Sequence, residues 1–153
     1  MVWRIVVGLK DGIKDPRGER IRRELKQHLG LQVDEVRTLD VYTVDAALNQ
    51  DEIEAAAAGP FSDPVIQEVA INRPLARNFD VLIEVGYRPG VTDNVGRTAR
   101  EAIQYQTGRP FAAGEGVYTS TQYLLRGPLD KPTAEGIAAG FLANGLIQRW
   151  TIL

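Results

Sequence analysis

The sequence predicts an α+β fold of two tandem β-α-β(β)-α-β repeats that close on each other as a pseudo-dimer. Three observations predict it: an internal repeat running through nearly the whole chain, a period-two apolar run opening each repeat, and a helix-start signal at the same place in both.

The repeat is visible residue by residue. Ile5, Val7, Gly8, Gly12, Asp15, Gly18 and Arg22 meet Ile83, Val85, Gly86, Gly90, Asp93, Gly96 and Arg100 at one constant offset. The register then slips, absorbed by the connector Gly108-Arg109-Pro110, and matching resumes with Val36, Thr38, Tyr42, Leu48 and Glu54 against Val117, Thr119, Tyr123, Leu129 and Glu135. Ala57, Ala58, Gly59, Ile66, Gln67 and Ile71 meet Ala138, Ala139, Gly140, Ile147, Gln148 and Ile152. The first repeat is assigned to residues 1–71 and the second to 79–153. The polar, proline-interrupted stretch 72–78 is the linker between them.

Each repeat opens on a strand. Trp3, Ile5, Val7 and Leu9 alternate onto one face, as do Val81, Ile83, Val85 and Tyr87. A glycine turn follows, then a helix capped by Asp15 with Pro16 at its first position, where the missing N–H costs nothing. Asp93 holds the same place in the second repeat. The first helix carries Gly18, Ile21, Leu25 and Leu29 on one stripe; its counterpart carries Val95, Ala99, Ala102 and Ile103.

The next runs, Val33 to Val44 and Gly116 to Leu125, are β-branched and aromatic and read as strands, the first bent or broken between Thr38 and Val41. Second helices cover Gln50 to Ala58, stopped by Gly59-Pro60, and Thr133 to Leu142. Closing strands run from Val65 to Ile71 and from Leu146 to Ile152. Each unit is close to a ferredoxin-like plan. A unit this small buries too little surface to be comfortable alone. Val2 and Val6, on the second face of the first strand, therefore call for a partner surface.

Composition excludes several classes of function. With 153 residues, 44% of them hydrophobic and 25% charged, the chain is of ordinary globular type. A formal net charge of -2 argues against nucleic acid as a partner. There is no cysteine, so thiolate metal sites and cysteine nucleophiles are out. The opening Met1-Val2-Trp3-Arg4 is charged too early for a signal peptide, and no apolar run is long enough to span a bilayer. The expectation is a cytoplasmic protein with no membrane partner. Arginine outnumbers lysine, which suits bidentate contacts to carboxylate or phosphate, including at interfaces.

The search for chemistry assigns no catalytic, cofactor-binding or metal-ligating residue, and no cofactor. His28, the one histidine, falls on the apolar side of the first helix, and Gln106 stands at the corresponding place in the second. The turns Gly8 to Gly12 and Gly86 to Gly90 have the parts of a phosphate loop but neither the Walker ending nor G-x-G-x-x-G. Their glycines read as turn formers, and the N-cap aspartates would repel an anion. Gly18 and Gly96, in the first turns of their helices, read as points of close backbone packing. Thr119, Ser120 and Thr121 lack a nearby base, and Glu52 and Glu54 read as a solvated helix face.

The stretch Val6-Val7-Gly8-Leu9-Lys10 through Asp15-Pro16-Arg17-Gly18 resembles the start of the PurS family, with its L-K-x-x-x-x-D-P-x-G turn and helix. Val36-Arg37 through Tyr42 is similar to that family's V-R-x-x-x-x-Y strand. Phe141-Leu142-Ala143-Asn144 through Trp150 resembles its L-L-A-N-x-x-I-E closing stretch.

The resemblance implies a non-catalytic component of phosphoribosylformylglycinamidine (FGAM) synthase. Its implied partners are the synthetase and glutaminase subunits or domains of that enzyme, which it would bridge. The doubled plan would be that of a free subunit or of the N-terminal domain of a longer synthase. Asn94-Val95 after Asp93 and the loop Arg109 to Glu115 depart from the family pattern, both in the second repeat. A rival reading is a small-molecule sensor for amino acids or nucleotides, since paired βαβ modules recur in that role.

Overall fold

The computed structural model describes residues 1–153. The elements run β1 (Val2–Leu9), α1 (Pro16–Leu29), β2 (Glu35–Asp45), α2 (Gln50–Ala58), β3 (Gln67–Ile71), β4 (Val81–Tyr87), α3 (Asn94–Thr107), β5 (Gly116–Arg126), α4 (Lys131–Ile137) and β6 (Gln148–Ile152). A single π turn over Ala138–Leu142 extends α4. The fold is α+β, with six strands in the order β3-β1-β2-β5-β4-β6. The pairs β1–β3, β4–β5 and β4–β6 are antiparallel.

Several element bounds correct the sequence reading. The strand expected over 33–44 is β2, which runs unbroken through Thr38 to Val41. Its burial changes phase within that stretch, Val36 and Thr38 being followed by Leu39 and Val41, where the chain passes from one unit to the other. The closing strands begin two residues late because Val65 and Ile66 belong to a turn. Val65 N–H donates to Asp63 Oδ1 at 3.0 Å, and Gln67 N–H to the Asp63 carbonyl at 2.8 Å. Asn144 builds the same turn before β6, which leaves Leu146 as exposed as Val65. The expected helix 133–142 becomes α4 plus the π turn, and it lacks the proline that ends α2 at Gly59-Pro60.

The helix stripes are shorter than expected. In α1 Gly18, Ile21 and Leu25 are buried but Leu29 is not, and in α3 Val95 is exposed while Gly96, Ala99 and Ile103 are buried. His28 is exposed at the end of α1, past Leu25, the last buried residue of the stripe. Gly30 and Gly108 end the two helices at φ 65° and 72°, the left-handed cap that glycine adopts without penalty. The linker turns at both ends on asparagines of positive φ, Asn72 and Asn78. Asn72 is further fixed by Arg4 N–H, which donates to its Oδ1 at 2.8 Å.

The chain forms two compact units, and each draws on both sides of the linker. Unit 1 comprises Met1–Asp11, Asp40–Leu75 and Thr92–Thr119; unit 2 comprises Gly12–Leu39, Ala76–Val91 and Ser120–Leu153. The core of unit 1 joins Trp3, Ile5 and Val7 of β1 to Ile53 and Ala56 of α2, Phe61, and Ala99 and Ile103 of α3. The core of unit 2 joins Val81, Ile83 and Val85 of β4 to Ala134 and Ile137 of α4, and Ile21 and Leu25 of α1. Each opening strand thus shares its core with the long helix encoded on the other side of the linker. The eleven-residue strands β2 and β5 carry the chain from one unit into the other.

Candidate interaction surfaces

The glycine turns and helix starts can be judged for ligand binding from their own hydrogen bonds. Gly12 and Gly90 have φ of 84° and 85°, so glycine there is required by the turn. The N-terminus of α1 is already filled by the chain's own carboxylate. Asp15 accepts Gly18 N–H at 3.0 Å, Thr38 N–H at 2.7 Å and the Thr38 hydroxyl at 2.8 Å. Asp93 accepts Gly96 N–H at 2.8 Å, Thr119 N–H at 2.6 Å and the Thr119 hydroxyl at 2.9 Å. An anion placed at either helix start would have to displace a carboxylate.

Both glycines of these clamps sit hard against backbone, as their place in the sequence suggested. A Cβ on Gly18 would overlap the Val36 carbonyl, and one on Gly96 the Val117 carbonyl. The Asp–Thr clamp is not among the sequence expectations, although Thr38 and Thr119 occupy matching places in the repeat. The available signal was a buried-strand threonine recurring in step with an N-cap aspartate.

The hydroxyls and carboxylates of the second half also find partners. Thr119 belongs to the clamp, and Ser120 Oγ donates to Glu84 at 2.8 Å, with Gln122 Nε2 donating to the same carboxylate at 2.9 Å. The matching positions in the first half are Val6, Leu39 and Val41, all buried. A polar trio therefore stands where the first half is apolar. Nowhere do three His, Asp or Glu side chains gather closely enough to hold a metal ion.

Glu52 is more than a solvated residue. Its side chain accepts Asn49 N–H at 3.0 Å while Asn49 Oδ1 accepts Glu52 N–H at 2.8 Å, a reciprocal capping box at the start of α2. Arg109 then grips the same carboxylate through two guanidinium nitrogens at 2.6 and 2.9 Å and reaches the Ala47 carbonyl at 3.3 Å. The Arg109 hydrogen bonds, aided by Asn49 N–H, lower the Glu52 pKa to about 2. Glu115, at the other end of the loop, accepts Ala112 N–H and Ala47 N–H, each at 2.7 Å, and these two bonds hold its carboxyl below the usual range. The loop from Arg109 to Glu115 is thereby fastened to the entry of α2.

Unit 1 carries two open grooves. One, of about 320 Å³, lies between α3 and the stacked pair Tyr42–Phe61, whose rings are 4.4 Å apart, and exposed Val95 is on its wall. The other, of about 480 Å³, lies between α2 and β3 and is lined by Gln50, Glu54, Ala57, Val69, Ile71 and Arg73 among others. These surfaces offer apolar floors with polar rims and no clustered acid–base groups. No helix is long and apolar enough to cross a membrane.

Compared with families of known proteins, residues 2–74 match PurS, described as Phosphoribosylformylglycinamidine (FGAM) synthase. No curated protein matches the chain.

Proposed function

For a chain that is a PurS-type protein, matched to that family over residues 2–74, we propose the role of a non-catalytic assembly component of FGAM synthase. It bridges the synthetase and glutaminase parts of an enzyme that amidates formylglycinamide ribonucleotide with ATP and glutamine-derived ammonia. Its place of action is the cytoplasm, and its partners are those two parts, with no nucleic acid and no membrane. Residues 79–153 are a second module of the same type, so one chain supplies what two copies of a single module would.

The observation that carries this reading is the family match together with the clamp that recurs beyond it. The triad Asp15, Gly18 and Thr38 lies inside the matched segment, and Asp93, Gly96 and Thr119 reproduce its hydrogen bonds outside it. Chemistry within the chain is disfavoured because its helix starts are occupied by its own carboxylates and its one histidine is an isolated, exposed side chain.

Reconstitution tests the proposal. The chain should co-purify with a synthetase and a glutaminase of this pathway at one chain per synthetase. Glutamine-dependent amidation should require it, while the isolated chain turns over neither ATP nor glutamine. Robust hydrolysis by the isolated chain, abolished by a point substitution within it, would overturn the assembly role.

A further inference from the structure

We propose that the groove between α2 and β3 is a docking site for a tryptophan side chain carried on an extended protein segment. The molecule supplies the template itself. In unit 2 Trp150 lies against the core beside α4, and its Nε1–H donates to Glu135 Oε2 at 3.0 Å. Trp150 sits opposite Val85 in the β4–β6 register, and Val69 sits opposite Val7 in the β1–β3 register. Glu135 follows the N-cap Asp130 by the same spacing as Glu54 follows the N-cap Asn49. Unit 1 therefore has the carboxylate and the helix–strand cleft but a valine where unit 2 has the indole.

The space left by that exchange is open. It measures about 480 Å³, within the roughly 300–1,000 Å³ common for binding sites. Ala57, Val69 and Ile71 form an apolar floor, and Glu54 and Arg73 stand at the rim. Gln50 Nε2 donates to Glu54 Oε1 at 2.9 Å, which holds the carboxylate at the groove. A carboxylate so engaged keeps acceptor capacity for an indole N–H. Arg73 adds a cation for an aromatic face, and tryptophan is the best ring for that contact.

An extended segment is the favoured carrier because the groove runs along β3, which ends the strand order. Of the outward backbone groups of β3, Gln67 N–H is held by the Asp63 carbonyl and the Val69 carbonyl only loosely by Arg73, at 3.5 Å. An added strand would therefore pair from Val69 to Ile71 and free Arg73, with its alternate side chains toward α2. This inference does not depend on the purine-synthase reading.

The test titrates the isotopically labelled full chain, followed by NMR, with a capped five-residue peptide of valine and threonine around a central tryptophan. Amide shifts are expected at Ala57, Val69 and Ile71. A 1-methyltryptophan peptide, which lacks the indole N–H, should bind about tenfold more weakly, and Glu54→Leu should weaken the parent peptide to the same extent. Val69→Trp should fill the groove and abolish binding. Glu54 is exposed, so its variant keeps the test valid if Val69→Trp fails to fold. Shifts absent from this groove, or equal binding of the methylated peptide, would overturn the site. Equal binding of N-acetyltryptophanamide and the peptide would overturn the extended segment as the occupant.

Discussion

Asp15 holds Thr38 by two hydrogen bonds, the backbone N–H at 2.7 Å and the hydroxyl at 2.8 Å, while also capping α1 through Gly18 N–H. One buried carboxylate thus ties the start of a helix to the strand that follows it. Asp15→Ala removes a cap worth about 1 kcal/mol and strands the Thr38 donors, at a further ~1–3 kcal/mol. Urea denaturation should show a loss of about 2–4 kcal/mol. Asp93→Ala should cost less, because Asp93 is only half-buried where Asp15 is 7% exposed. Equal, negligible losses would show that the clamp contributes nothing.

Gly18→Ala and Gly96→Ala give a prediction of opposite sign to helix propensity. Propensity alone favours alanine by about 1 kcal/mol at interior helix positions. The new Cβ would meet the carbonyls of Val36 and Val117, backbone that cannot swing aside as a side chain can. Both variants should therefore be destabilised, by roughly 1–3 kcal/mol. A rise in either denaturation midpoint would show that the strand yields to the added carbon.

The Glu52–Arg109 pair predicts a pH window. The folded pKa of Glu52, about 2, lies below its ordinary value of 4.5. Its contribution is therefore fully present above about pH 4.5 and is lost as pH falls toward 2. Arg109→Ala removes the principal cause of that shift. The thermal midpoints of the two proteins should differ most above pH 5 and converge near pH 2. The gap should also shrink in high salt, because both side chains are partly solvated. A difference independent of pH would assign the effect of the substitution to packing instead.

The mixed cores predict how fragments behave. Residues 1–77 contain Ile5, Val7 and Ile53 but lack Ala99 and Ile103, which complete that core. They also contain α1, whose Ile21 and Leu25 pack with Val81 and Ile83. Such a fragment should self-associate, aggregate or unfold, whereas the full chain should melt in one transition. Sedimentation and calorimetry check this. A stable monomeric 1–77, or two well-separated transitions in the full chain, would refute it.

How much of this was legible in the sequence depended on range. Asp15 and Asp93 could be read because a cap acts within one helical turn of its own position. Gly18 and Gly96 could be read because a recurring glycine in a helix's first turn marks close packing, though not that Val36 and Val117 are the neighbours. The Glu52–Arg109 grip could not, because no local pattern links residues 57 apart. Only the surplus of arginine hinted at a bidentate carboxylate contact. The mixed cores were hidden for a related reason. The stripes of α1 and α3 reveal that each helix has a buried side but not which strand it covers, and the two opening strands are nearly alike. Trp150 could be matched to Val69 by alignment, yet its bond to Glu135 joins an edge strand to a helix 15 residues away, which no local pattern reveals.

Such interlacing also sets a timetable for synthesis. As the chain leaves the ribosome, Ile21 and Leu25 emerge long before Val81 and Ile83 exist to receive them, and the first core waits for Ile103. At typical elongation rates of about 5–20 residues per second, these apolar stripes stay uncovered for seconds, a long time beside helix formation or collapse. The nascent first half thus presents uncovered apolar surface throughout that interval, the condition under which unfinished chains aggregate or exchange elements.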